Sequence, residues 1–235
     1  MRLFLLALFP LLGALPLHAE LIAVESARSP FCLVAAAVRI GVGKQLSMVE
    51  GDFELKYVPR LDRAERTDRI AFQYAAFVPK EADSLEALVE ITQLKLRVGT
   101  VEFAPEDFVP WADRAETSLQ IFPENARLVI FIFRIPRALL HRQCTLHLSH
   151  YQPHYQFAGK QVSAWLPLLP DFEEFKNEFL YSRVDFTVEF EAVDAVQLHR
   201  LSGNESIVQE TPQRVKVHPV HRENIAVAVE EPARP

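Results

Sequence analysis

Along this chain, apolar and polar positions alternate with a period of two far more often than they recur every three or four. Asp52–Val58 sets Phe53, Leu55 and Tyr57 on one side and Asp52, Glu54 and Lys56 on the other, the signature of a strand with one wet face. Arg183–Glu191 repeats the pattern, with Val184, Phe186, Val188 and Phe190 set against Arg183, Asp185, Thr187, Glu189 and Glu191. Cys144–Tyr151 does so again, turning Cys144, Leu146 and Leu148 inward and Thr145, His147 and Ser149 outward. Arg127–Ile135 departs from the pattern, because Leu128–Phe133 leaves no polar face at all. Pinned between Arg127 and Arg134 and followed by Pro136, it reads as a central strand, too β-branched for a comfortable helix and too short to cross a bilayer. Such a strand needs neighbours on both edges and cover above and below.

Further strands are predicted at Leu21–Ser26, Phe31–Val42, Arg69–Val78, Leu88–Val98 and Ser118–Phe122. Tyr155–Trp165 reads as a hairpin around Ala158-Gly159-Lys160, and Ala195–Leu201 as the partner of Arg183–Glu191. Asp83 or Ser84 is placed to cap a single helical turn. The one longer helix opens at Asp171, with Glu173 and Glu174 in its first turn and Phe172, Phe175 and Phe179 on one face. Together these predict an all-β, two-sheet antiparallel sandwich of about nine or ten strands, with one short covering helix near 171–180. The domain spans residues 20–201, followed by an extended Pro-containing tail over 202–235, in which Ile225–Val229 can add an edge strand. Two tandem sandwiches broken near Ala104–Arg114 are the alternative.

Composition supports strands and excludes some partners. Sixteen Pro and seven Gly among 235 residues suit many turns, and seventeen Phe supply a core of rigid rings. A net charge of −6 without a basic stripe excludes nucleic acid as a partner class. At the N-terminus, Arg2, the apolar run Leu3–Leu17 and Leu17-His18-Ala19 before Glu20 form an export leader over residues 1–19. Once it is cleaved, no stable membrane span remains; retention as an anchor is the alternative. The expected location is therefore the periplasm or the exterior. In that setting the two cysteines, Cys32 and Cys144, are expected to form a disulfide, worth about 4 to 5 kcal/mol in the chain-entropy model. Two buried free thiols are the other possibility.

Candidate chemistry is sparse. His141, His147, His150 and His154 cluster in sequence, and imidazole suits zinc or copper. On a strand, however, His147 and His150 face opposite sides, and no nearby Cys, Asp or Glu completes a shell, which leaves His147, His150 and His154 as weak metal candidates. The Gly-x-Ser-x-Gly turn of serine hydrolases and the phosphate-loop spacing after Gly41 and Gly43 are both missing. Tyr151, Tyr155, Trp165, Tyr181 and Trp111 form a candidate binding group, since exposed rings stack sugars and mark interfaces. No cofactor motif is present. The sequence thus points first to a non-catalytic secreted or periplasmic protein that binds or scaffolds a protein or cell-envelope component. A carbohydrate-binding module using the Tyr/Trp group is the second reading, and a metal-binding or hydrolytic protein using His141–His154 the third.

Overall fold

The computed structural model describes residues 31–57, 68–110, 124–165, 185–201, 206–218 and 225–231. The leader, Leu21–Ser26, Trp111, Ser118–Phe122, the helix expected near 171–180 and Tyr181 lie outside the described residues. In chain order the strands are β1 (Phe31–Val42), β2 (Leu46–Tyr57), β3 (Arg69–Pro79), β4 (Lys95–Val98), β5 (Val101–Phe103), β6 (Asp107–Pro110), β7 (Ala126–Pro136) and β8 (Gln143–Pro153). There follow β9 (Tyr155–Phe157), β10 (Lys160–Trp165), β11 (Asp185–Ala192), β12 (Gln197–Arg200), β13 (Ser206–Thr211), β14 (Arg214–His218) and β15 (Ile225–Glu230). A helix, α1 (Leu85–Thr92), lies between β3 and β4.

The fold is mainly β, but among the described residues its sheets number three rather than two. An eight-stranded sheet runs β13-β14-β11-β1-β2-β8-β4-β5, a four-stranded sheet β12-β15-β10-β9, and a three-stranded sheet β3-β7-β6. The reason lies in β3 and β7, which pair residue for residue from Arg69↔Pro136 to Pro79↔Ala126 and are buried on both faces for most of their length. In a two-sheet sandwich each strand keeps one wet face, so a doubly buried ladder requires an extra layer. Large rings fill the joint core, with Phe53, Phe72, Phe131, Phe133 and Phe190 fully enclosed.

Two pairings differ from the sequence expectation. β11 does not turn back on 195–201; it lies parallel to β1, from Ala35↔Asp185 to Val42↔Ala192, and antiparallel to β14. β12 joins β15 in the smaller sheet instead. The segment read as a tail therefore supplies β13, β14 and β15, and β15 is an interior strand whose Ile225–Val229 side chains are all buried. Its unbroken apolar run is what buries it on both faces.

Local chemistry explains the connections. Ser84 caps α1, its hydroxyl accepting from the Ala87 N–H at 3.2 Å, and Gln93 ends the helix in a left-handed conformation with its N–H on the Val89 carbonyl. The β9–β10 hairpin forms where expected, with Ala158 and Gly159 both at positive φ (50° and 75°) as a type I′ turn requires. Among the described residues no helix is long and apolar enough to cross a membrane.

Candidate functional site

Strand β8 is central to the large sheet, and its two faces meet different surroundings. Inward, Leu146, Leu148, His150 and Gln152 are buried; outward, Thr145, His147, Ser149 and Tyr151 are partly or fully exposed. The inner face is where the three sheets join, and polar side chains fasten them. The His150 imidazole bonds the Tyr74 hydroxyl of β3 at 2.8 Å, tying the eight-stranded sheet to the three-stranded one. Ser47 of β2 shares a 2.8 Å hydrogen bond with Ser163 of β10, and Gln152 donates through Nε2 to the Ala164 carbonyl at 2.7 Å, tying in the four-stranded sheet. Tyr155 donates to the Phe77 carbonyl at 2.8 Å and closes the triangle between the two smaller sheets.

These groups are structural. His150 Nδ1 lies 3.2 Å from the Tyr151 carbonyl, which can only accept, so Nδ1 carries the proton and Nε2 accepts from Tyr74. Burial pushes the His150 pKa down to about 4, opposed by that backbone bond, and the ring stays neutral. His154 Nε2 sits 3.2 Å from Ser47 Oγ, a serine and imidazole pairing that in an open cleft would suggest a nucleophile and its base. Ser47 is 0% exposed, however, and its hydroxyl is engaged by Ser163. His154 Nδ1 is buried without a hydrogen-bond partner among the described residues, so no carboxylate orients that ring.

The outer face is a groove of about 470 Å³ with charged walls. Register sets residues side by side in two rows across the sheet. One row runs Lys216, Glu189, Arg39, Glu50, Ser149 and Lys95; the other runs Thr187, Ala37, Asp52, His147, Arg97 and Glu102. Opposite charges thus sit on adjacent strands, which favours this register. Some of them pair off: His147 with Asp52, Lys95 with Glu102 at 3.3 Å, and the 7%-exposed Glu189 with Arg214 at 2.7 Å and Lys216 at 3.8 Å. Arg39, Glu50 and Arg97 make no ion pair among the described residues. Ala37 and Ser149, both short, keep the floor low.

No protein-family model and no curated protein matches this chain. Solved structures of leukotriene A4 hydrolase from yeast resemble it slightly. The bestatin complex shares 12% identity over 94% of this chain at a TM-score of 0.39, and the native enzyme 11% over 95% at 0.40. The chain spans 32% of the length of each. At that overlap the likeness assigns no activity here.

The residues singled out from sequence scatter. Tyr155 is core, Tyr151 stands outward at 36% exposure, and Trp165 lies on β10 opposite Ile225. Trp111 and Tyr181 fall outside the described residues. His147, His150 and His154 enter three separate environments, and no group of three or more metal-ligating side chains forms among the described residues. Cys144 is a free, half-buried thiol whose pKa burial raises. Strands β1 and β8 lie on opposite edges of β2, where Cys32 faces Lys56 and Cys144 faces Leu55. Two strand spacings put their Cα atoms about 10 Å apart, beyond the roughly 7 Å that a disulfide bridges. The Cys32 side chain itself lies outside the described ones, and the bridge stays an expectation of the sequence. What sequence reading missed is the groove, whose members come from five strands and share no motif; only cross-strand register brings them together.

Proposed function

We propose that this chain is an exported, non-catalytic β domain that binds another macromolecule through the outer face of its eight-stranded sheet. One observation carries this reading. Polar groups on the inner face of β8 are spent fastening the sheets, whereas on the outer face Arg39, Glu50 and Arg97 stand around an open groove without ion-pair partners among the described residues. Charged side chains held on a rigid sheet and left unpaired give orientation and specificity to an encounter. The alternative of sugar binding by stacked rings draws less support, because Tyr155 is core and Tyr151 stands outward without a second described ring of the candidate group beside it.

The test is affinity capture from the native envelope fraction with the full chain and with a charge-reversed groove variant, Arg39→Glu with Arg97→Glu. Recovery of a macromolecule by the wild type and its loss in the variant, with unchanged circular dichroism, is the expected result. Equal recovery by both would move the contact away from this face. Export is tested separately, by sequencing the N-terminus of the chain isolated from the periplasmic or extracellular fraction, where Glu20 is expected first.

A further inference from the structure

The groove's charges are sorted by strand as well as by row. Glu50 and Asp52 of β2 form one wall, Lys95 and Arg97 of β4 the other, and β8 between them contributes Ser149 and His147. The walls stand about two strand spacings apart, roughly 10 Å, and successive charges within a wall repeat at about 7 Å, the two-residue step of a strand. We infer that the groove takes an extended segment of a partner protein in which Lys and Glu alternate. An extended chain laid along β8 sends successive side chains to opposite sides, so alternation delivers every Lys to the carboxylates of β2 and every Glu to the cations of β4. A purely acidic or purely basic segment meets repulsion from one wall. Within the walls, Glu50 and Arg97 are the charges without ion-pair partners among the described residues, so each is available without breaking a contact already made.

This rests on the binding reading above and adds the partner's chemistry. The decisive probe is a pair of labelled, end-blocked hexapeptides of one composition: three Lys-Glu repeats, and its isomer with three Lys followed by three Glu. Fluorescence anisotropy with the full chain at low ionic strength should show the alternating peptide binding about tenfold more tightly than the block isomer. Glu50→Gln and Arg97→Gln should each weaken the alternating peptide about tenfold, and the difference between peptides should shrink as salt screens the walls. Equal binding of the isomers, indifference to both substitutions, or no binding of either peptide overturns the inference. A macromolecule captured from the envelope by the wild type and lost by the Arg39→Glu, Arg97→Glu variant, alongside equal binding of the isomers, would leave the domain a binding protein and remove only the Lys/Glu pattern.

Discussion

His147 and His150 stand three positions apart on one strand, and they live in opposite surroundings. His150 is 2% exposed, neutral, and engaged at both nitrogens; His147 is outward, half exposed, and paired with the exposed Asp52. Neither residue type nor sequence neighbourhood separates them. The side-chain period of the strand does, by sending odd and even positions to different solvents. The lesson extends along β8: on the inner side polar atoms hold sheets together, and on the outer side they remain available to something else.

Acid should expose that contrast most strongly. His150 titrates near 6.5 when unfolded and near 4 when folded, because burial opposes its charged form. The stability this gives is complete above pH 6.5 and is lost as pH falls toward 4, since over that window the unfolded chain takes up the proton first. The full difference is about 3 kcal/mol. Burial lowers the His154 pKa as well, in the same sense. Urea titrations between pH 7.5 and 4.5 should show a falling midpoint, and the double substitution Tyr74→Phe, His150→Leu should flatten that slope. An unchanged slope would mean that the ring is open to water when folded.

Next in size is the single substitution Tyr74→Phe. It leaves His150 Nε2 buried without a donor, at a cost of about 1 to 3 kcal/mol. Removing both partners together should cost less than the sum of the two single changes, because His150 Nε2 is then no longer stranded without its donor. Additive losses in this double-mutant cycle would break the claim that the pair acts as one fastener.

How far the sequence disclosed these two faces depended on the range of each interaction. Period two within β2, β8 and β11 is local, so Phe53, Leu148 and Phe190 could be assigned inward; a cap at Asp83 or Ser84 and the Ala158-Gly159 turn were equally visible. Sheet membership was not local. β11 reaches β1 across more than a hundred residues of chain, and no alternation reports which edge it will choose. The same limit hid the groove, since Glu50 and Arg97 become neighbours only after β8 is placed between β2 and β4. It bears on the cysteines as well, since Cys32 and Cys144 belong to β1 and β8, whose backbones are separated by β2. The Pro-containing character of 202–235 concealed β13 and β14, because Pro212 sits in the turn between the two strands rather than inside either ladder.

The smallest expected effect belongs to the outer pair. Asp52→Asn removes the partner of His147 at a site where the two side chains are 61% and 37% exposed. Water replaces the lost contact, so the change should cost less than about 1 kcal/mol, and still less as salt is added. The measurement is the urea midpoint at neutral pH in low and high salt, alongside Tyr74→Phe under the same conditions. A loss as large as that of the inner pair, or one indifferent to salt, would mean that the groove encloses its charges as the sheet junction encloses His150. The two faces of β8 would then be a single kind of interior, and charges so enclosed would have no free valence to offer a partner.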